Sequence, residues 1–420
     1  MKLELARAVV AQLQISGRAG GIEELGKFAL KDWQRTYQWL DDSGLALYLL
    51  RHLQNAGSSE VLPAEVLARL QDNCIQNHSR CAYIADSFAA INELFRGAGV
   101  PFAVIKGLSL VPEYCPDAVL RAPSDVDYLV DPSSLLLARR VLEGAGYRLQ
   151  KSSDIELKFY KPSRRMPTLS DSPYSVTTEP LIEVHTGFWH RTNNIPLAEP
   201  LFSLEQAIPH TWEGLHFRIL NSRDAFLLQV LHVFQHTVES WVKLSWLLEI
   251  GNFLSSRSSD SRLWCQLDDR MNELPILSEF AAIVIELARI LFSAPIPDRA
   301  QSWISSLRST SRLWLDQYAE TFAFDDHPLS GDRFFPTGKL SLFLHQEYIS
   351  NPELRKEMIR RRLFPWKRPD RVAFPGDQNG ASMVAASQLQ LRWMLDRIVF
   401  HLGSGLRYLW EVPRWRNLTS

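Results

Sequence analysis

The chain lacks several features that would place it in familiar classes of protein. It has four cysteines in 420 residues, and none of them forms a C-x-x-C pair. A disulfide framework or a zinc ribbon needs more closely spaced cysteines, so we expect neither, and a reducing compartment fits. No run of about 18 consecutive apolar residues occurs, so we predict no transmembrane helix. The formal net charge of −1 excludes a global field that would attract nucleic acid or an anionic membrane.

The N-terminal sequence MKLELARAVVAQLQI also lacks an uninterrupted apolar stretch, so it does not read as a signal peptide, and we expect a cytoplasmic protein. Apolar residues make up 46% and charged residues 22% of the chain, which is typical of a globular protein. Because 420 residues exceed what one hydrophobic core usually organises, two or three domains are expected.

Hydrophobic periodicity predicts an α+β fold with three regions. Residues 1–97 show apolar positions three and four apart and predict an N-terminal helical region. Residues 98–195 change to strand-like periods and predict a small mixed-sheet core. Residues 196–420 predict a large helical C-terminal region, with the clearest amphipathic pattern after Asp224.

Within the core, short apolar runs predict strands, and turn residues separate them. The predicted strands are 101–105, 124–130, 147–150, 155–161 and 181–188. A helix should follow Asp131-Pro132, since Asp caps a helix and Pro suits its first position. The polar stretch 162–180 predicts a long loop. Further helices are predicted at 262–292, 298–322 and 385–410.

Asp125 and Asp127 lie two residues apart in an otherwise apolar predicted strand. Alternate side chains of a strand share one face, so the two carboxylates would lie ~7 Å apart along it. Such a pair suits one or two divalent metal ions, which in paired sites lie ~3.5–4 Å apart. A lone D-x-D is weak evidence, because most such pairs are solvated surface acids. Glu183, in a later strand, would complete a set of three acids if the two strands were neighbours.

Lys106-Gly107 lies at a predicted strand-to-helix turn upstream of the acids. Free backbone N–H groups and the helix dipole favour an anion at such a turn. The turn therefore predicts a phosphate-binding element beside the metal ligands.

In this order, the motifs resemble those of the uncharacterised nucleotidyltransferase family of the DNA-polymerase-β-type superfamily. The resemblance covers about residues 65–255 and rests on Lys106-Gly107, Arg121, Asp125-x-Asp127, Glu183-x-His185, and the helical pattern His232…Trp241-Val-Lys243-Leu-Ser-Trp246-Leu-Leu-Glu249. It implies a compact mixed sheet that carries three acidic metal ligands. It also implies transfer of a nucleoside monophosphate from an NTP to an acceptor.

The resemblance assigns a role to each matching residue. Asp125, Asp127 and Glu183 are expected to be catalytic and to bind Mg²⁺ or Mn²⁺, with Glu183 helping to activate an acceptor hydroxyl. The superfamily usually has Gly-Ser at its phosphate-binding turn, whereas this chain has Lys106-Gly107-Leu108-Ser109. Lys106 would replace a hydroxyl contact with a point charge on the triphosphate.

Lys106, Gly107, Ser109 and Arg121 are therefore expected to bind the NTP. For Arg121 an ion pair with Asp125 or Asp127 is an equal alternative.

Two other functions stay open from the sequence. A D-x-D glycosyltransferase also binds metal and a sugar nucleotide, although it expects a nucleotide-binding α/β region before the motif. A non-catalytic binding protein that retains the fold is the second alternative. The acceptor can be a small molecule, a sugar phosphate, a peptide hydroxyl or an RNA end, and the sequence determines neither the base preference nor the oligomeric state.

Three further features have a structural explanation that we favour. His185 shares a face with Glu183, and we interpret it as a buried histidine, with an acceptor contact as the alternative. His232 and His236 have the i, i+4 spacing of zinc ligands, but Val-Phe-Gln separates them, so we expect packing. The basic segment Arg355–Arg371, which contains Trp366, predicts a solvated helix face and a loop, with RNA, an anionic surface or a partner as alternatives.

Overall fold

The structure is a computed structural model that describes residues 3–16, 21–162, 172–176, 180–189, 194–197, 201–239, 241–325, 338–365 and 380–419. Its strands are β1 (Phe102–Ile105), β2 (Asp125–Val130), β3 (Arg148–Ser152), β4 (Glu156–Tyr160), β5 (Leu181–His185), β6 (Ile208–Trp212) and β7 (Leu215–Ile219). Its helices are α1 (Leu3–Gln12), α2 (Leu30–Asp42), α3 (Ala46–Asn55), α4 (Ala64–Gly97), α5 (Leu135–Gly144), α6 (Ser222–Val238), α7 (Leu244–Arg257), α8 (Ser261–Glu273), α9 (Pro275–Phe292), α10 (Asp298–Ser305), α11 (Ser309–Ala323), α12 (Ser341–His345), α13 (Pro352–Leu363) and α14 (Gly380–Thr419).

The strands form one mixed sheet in the order β3-β4-β5-β2-β1-β7-β6. The central strand β2 runs antiparallel to β1 and parallel to β5. Helices α1–α4 precede the sheet in the chain and α6–α14 follow it. The predicted α+β class, with a mixed sheet between helical flanks, is therefore confirmed.

The hairpin β6–β7 lies in the region predicted as helical, so that prediction is wrong for residues 208–219. β7 extends the sheet by pairing in parallel with β1. Most β6 side chains are exposed or only partly buried, so the apolar alternation that marks a half-buried strand is weak here. The Glu213-Gly214 turn, in which both residues have positive φ, is the signal that indicates a two-residue hairpin.

Three predicted helices differ in detail from the structure, and one of them, the helix predicted at 298–322, is divided into α10 and α11. The segment after Lys106 forms only a 3-10 turn, Gly107–Leu110. The predicted helix 262–292 is divided into α8 and α9, because Pro275 starts a new helix at its first position. The predicted loop 162–180 lies largely outside the described residues, as do residues 366–371 of the basic segment, including Trp366.

The alternation of side chains along β2 decides which face carries the acids. Val126, Tyr128 and Val130 belong to a core that the sheet shares with α4 and α5. Leu129 points to the opposite face and joins the large core formed mainly by the helices of the flanking regions. Asp125 and Asp127 alternate with the first set, so their side chains face the same side as Leu129.

Within the described part of the chain, no helix combines the length and the apolar character that crossing a membrane requires.

Candidate functional site

Two neighbouring parallel strands place Asp127 beside Glu183. β2 and β5 pair in a register that sets Asp127 opposite Glu183 and Leu129 opposite His185. Side chains at paired positions of a sheet point to the same face, so Asp125, Asp127, Glu183 and His185 share the face that Leu129 occupies. β2 and β5 are therefore neighbours, which is the condition under which Glu183 joins Asp125 and Asp127 in a set of three acids.

Asp127, Glu183 and His185 form a compact buried cluster. Among the described residues, their potential ligand atoms lie within 4.8 Å of one another. His185 Nε2 lies 2.9 Å from Asp127 Oδ1 and 3.6 Å from Glu183 Oε2. Asp125 is partly buried and follows on the same strand face, but it is not a member of this cluster. His185 is buried, as expected, and it also contacts both acids directly.

Two lysines supply positive charge to the cluster. Lys106 Nζ donates a hydrogen bond to Asp127 Oδ1 at 2.7 Å and lies 3.9 Å from Glu183 Oε2. Lys158, on β4, forms an ion pair with Glu183, because the antiparallel register sets the two residues opposite each other. Lys106 adopts a positive φ of 54°, which is uncommon for a residue with a side chain. This sharp turn at the end of β1 directs its side chain into the acid cluster.

The turn after Lys106 is stabilised by its own hydrogen bonds. Ser109 Oγ donates to the Lys106 carbonyl oxygen at 2.7 Å, and the Ser109 backbone N–H donates to the same oxygen. Gly107 has a φ of 41°, where a residue without a Cβ is favoured. Gly107 lines the pocket described below, whereas Ser109 is not among the described residues that line it.

The pKa values of the cluster show its electrostatic balance. Burial, together with the charges of Asp127 and Glu183, raises the pKa of Asp125 to about 6. Burial also acts to raise the pKa of Glu183, but the hydrogen bond with His185 and the two ammonium groups outweigh it and lower this pKa. The pKa of His185 is raised, because the two carboxylates outweigh burial and the repulsion from Lys106. The cluster therefore favours additional positive charge.

These residues fit a divalent cation. Asp125, Asp127 and Glu183 bring three carboxylates to this face of the sheet, where the Lys106 and Lys158 ammonium groups and the His185 ring lie against them. Carboxylate oxygens are the ligands that Mg²⁺ prefers, and an imidazole nitrogen is accepted by Mn²⁺ and other transition metals. Asp127, Glu183 and His185 can hold such an ion, with Asp125 next to them on the same strand face.

A pocket with a volume of about 140 Å³ opens beside Asp125 and Asp127. Its walls come from the ends of β1 and β2, from α4, from α6 and from the start of α7, and Gly44 of the N-terminal helical region also contributes. Among the described residues, three cationic side chains line it, namely Lys106, Arg121 and Lys243. A pocket that joins acids and cations in this way suits a ligand that carries both phosphate groups and a metal ion.

Arg121 is held at the pocket wall by a buried ion pair with α7. Its Nε lies 3.1 Å from Glu249 Oε1, and its Nη1 donates to the Gly107 carbonyl oxygen at 3.1 Å. The Tyr48 hydroxyl donates to Glu249 Oε1 at 2.9 Å. Arg121 is thus an ion-pair partner, as the alternative interpretation expected, but its partner is Glu249 rather than Asp125 or Asp127.

His232 and His236 pack against Trp246. The His232 ring lies 4.7 Å from the His236 ring and 4.4 Å from the Trp246 ring, measured between centroids. Burial lowers the pKa of both histidines, so the rings are neutral in the folded protein. This arrangement agrees with the packing interpretation.

Three residues of the site had no role assigned from the sequence, namely Lys158, Lys243 and Glu249. For Lys158, the alternation in the strand IELKFYK was a signal, because a lysine flanked by apolar residues can pair across to an acid on the next strand. Lys243 and Glu249 were part of the helical pattern that carried the resemblance. Their contacts with the site depend on how α7 packs, which no local pattern indicates.

Comparison with known proteins adds one finding. A family model described as "Uncharacterised nucleotidyltransferase" matches residues 30–293, more than half of the chain. No curated protein and no solved structure matches the chain. The matched span contains the whole sheet and every residue of the acid cluster and the pocket.

Proposed function

Because the chain belongs to the uncharacterised nucleotidyltransferase family, we propose that it transfers a nucleoside monophosphate from an NTP to a hydroxyl acceptor and releases pyrophosphate. One observation carries the proposal. Asp127 and Glu183 are set side by side by two parallel strands, and Asp127 faces a pocket that also contains cationic side chains. The pairing of metal-type ligands with phosphate-type ligands suits this reaction.

In this proposal Asp125, Asp127 and Glu183 hold the metal ion, and His185 adds a nitrogen ligand beside them. A bound Mg²⁺ or Mn²⁺ would neutralise charge on the phosphate groups as the reaction proceeds. Glu183 helps to orient and activate the acceptor hydroxyl. The low pKa of Glu183 keeps this carboxylate ionised at neutral pH, as a metal ligand must be.

The cations of the pocket act on the triphosphate. Lys106 and Arg121 line it together with Gly107, so their side chains and the Gly107 backbone lie beside the place that the departing phosphates would occupy. Lys106 is bound to Asp127 in this structure, and it serves there as the counterion of the acid cluster. Catalysis would depend mainly on positioning and on charge compensation, as is usual for phosphoryl transfer.

The glycosyltransferase alternative receives no support from the fold. That class expects a nucleotide-binding α/β region before the D-x-D motif. The described residues that precede Phe102 form helices and turns and contain no strand.

An Asp127→Asn variant tests the proposal, because it keeps the shape of the side chain and removes its charge. Wild-type protein should be stabilised against heat by Mn²⁺ together with a non-hydrolysable NTP analogue, and should release pyrophosphate from at least one NTP. The variant should lose both properties and keep the wild-type circular dichroism spectrum. Asp131→Asn is the matched control, since Asp131 is exposed just after the same strand. Full pyrophosphate release by the Asp127→Asn variant would overturn the proposed role.

A further inference from the structure

Lys243 is a lysine of the pocket whose charge has no direct partner among the described residues. It immediately precedes α7, and its side chain lines the pocket beside Asp125 and Asp127. Within the described part of the chain, its ammonium group forms neither a hydrogen bond nor an ion pair. Burial and the nearby Arg121 lower the pKa of Lys243, because both disfavour a charged ammonium group. Lys243 is only partly exposed, and a partly buried charge without a partner destabilises a protein, so a ligand that brings an acceptor into the pocket would remove this cost.

The other two cations of the pocket are already neutralised. Lys106 is bound to Asp127 at 2.7 Å, and Arg121 is bound to Glu249 at 3.1 Å. A lysine ammonium group has three N–H donors and no acceptor, so Lys243 can be satisfied only by an acceptor that enters the pocket. Asp125, Glu249 and Asp42 attract it only from beyond ion-pair distance.

The stem of Lys243 is held by the N-terminal helical region. Gly44 has a φ of 74°, and a Cβ placed on it would lie 2.6 Å from Lys243 Cε and 2.5 Å from Ser245 Oγ. The Ser245 backbone N–H donates to the Ser43 carbonyl oxygen at 2.9 Å, which fixes this turn against the start of α7. The absence of a side chain at Gly44 is what allows the turn to lie against the lysine stem. Lys243 is therefore positioned before any ligand arrives.

We propose that Lys243 binds a phosphate group of a polyphosphate chain, and that this chain is the triphosphate of the NTP. The inference rests on the proposed function. A polyphosphate carries several negative charges, which suits a pocket lined by Lys106, Arg121 and Lys243 together with the metal-type acids Asp125 and Asp127. A ligand with one carboxylate would pair with Lys243, but it would have no second anionic group to bind a metal ion held by the acid cluster.

Binding measurements on the full chain with Lys243→Met test this inference, since methionine keeps the apolar stem and removes the charge. Calorimetric titration with tripolyphosphate and with a non-hydrolysable ATP analogue, both with Mg²⁺, gives the affinities. Hydrogen bonds to charged groups are among the stronger ones in proteins, so each affinity should fall about tenfold or more. Glycerol phosphate represents a phosphorylated acceptor, and its affinity should differ little between the wild type and Lys243→Met.

Two further variants serve as controls. Lys356→Met removes the same charge from an exposed lysine of α13, whose side chain is 74% exposed, and should leave both affinities unchanged. Lys243→Arg retains a cation and should recover most of the affinity. The Tm of Lys243→Met without anion should equal or exceed that of the wild type, because the variant no longer holds an unpaired, partly buried charge in the pocket wall. A Lys243 that only maintained structure would show a lower Tm instead.

The outcomes separate this inference from the proposed function. Equal tripolyphosphate affinity in the wild type and Lys243→Met would overturn the inference, and so would a wild type that does not bind tripolyphosphate. A loss of glycerol phosphate affinity alone would overturn it in favour of the acceptor. If tripolyphosphate affinity falls in the variant while the wild type transfers no nucleotide, Lys243 is a phosphate ligand and the proposed function is wrong.

Discussion

The buried ion pair between Arg121 and Glu249 allows a quantitative test of how the helical region supports the pocket. The Glu249 side chain is 2% exposed and that of Arg121 is 19% exposed. Glu249 also accepts a hydrogen bond from Tyr48 on α3, so one carboxylate joins the N-terminal helices, the pocket wall and α7. We consider three variants, namely Glu249→Leu, Arg121→Met and the double variant.

Each single variant leaves a buried charge without its partner, which typically costs about 3–5 kcal/mol. The double variant removes both charges and replaces them with apolar side chains of similar size, a change that is often close to neutral. Burial raises the pKa of Glu249 even though Arg121 and Tyr48 act to lower it, so desolvation outweighs the attraction of the pair. The coupling energy of the double-mutant cycle should therefore be several kcal/mol, larger than the common range of about 0.5–3 kcal/mol.

Equilibrium urea denaturation of the four proteins, followed by circular dichroism, measures the cycle. The exposed pair Arg7–Glu320, whose atoms lie 3.0 Å apart with both side chains more than half exposed, is the control. Its coupling energy should stay below about 1 kcal/mol. Additive single variants at Arg121 and Glu249, or a Glu249→Leu cost below about 1 kcal/mol, would refute the reasoning that the pair is a buried support of the pocket.

Two further predictions concern the same region. Gly44→Ala should lower the free energy of unfolding by about 1–3 kcal/mol more than Gly57→Ala, because both glycines have positive φ but only the Cβ at Gly44 would overlap Ser245; equal costs in urea denaturation would contradict this. His232 and His236 are held neutral by burial, so below about pH 6.5 the unfolded chain binds more protons than the folded one. As the pH is lowered, the free energy of unfolding should then fall by up to about 1.4 kcal/mol per pH unit for each ring. The His232→Phe variant should show a smaller slope of this free energy between pH 7 and pH 5. A slope that His232→Phe leaves unchanged would show that the ring is protonated in the folded protein.

The acid cluster was the part of the site that the sequence indicated best. The alternation of Asp125 and Asp127 with apolar residues determined that both face one side of a strand, and the structure agrees. Whether Asp127 and Glu183 lie side by side depends on the order of the strands in the sheet, which hydrophobic periodicity does not determine. Only the pairing of β2 with β5, separated in the chain by α5 and the hairpin β3–β4, settles it.

The residues that complete the pocket, or that support its wall as Glu249 does, could not be identified from the sequence for a physical reason. Lys243, Glu249 and Gly44 are separated from the acids by many residues, and their contacts arise from the packing of helices against each other. A helical pattern indicates which face of α7 is buried but not which partner lies there. The pairing of Tyr48 and Arg121 with Glu249 could not be predicted for the same reason.

The pocket also explains why the helical flanks belong to the functional unit. Gly44 comes from the predicted N-terminal region, Lys106 and Asp127 come from the predicted core, and Lys243 comes from the predicted C-terminal region, yet all four residues line one cavity. The family match extends over all of these segments and ends at residue 293, just after α9. The sheet alone would present the acids without Lys243 and without the partner that holds Arg121. The helices around the sheet therefore determine which anion can bind in the pocket beside the acid cluster. Substitutions at Gly44 or Glu249 should affect phosphate binding, although neither residue is placed to contact the metal.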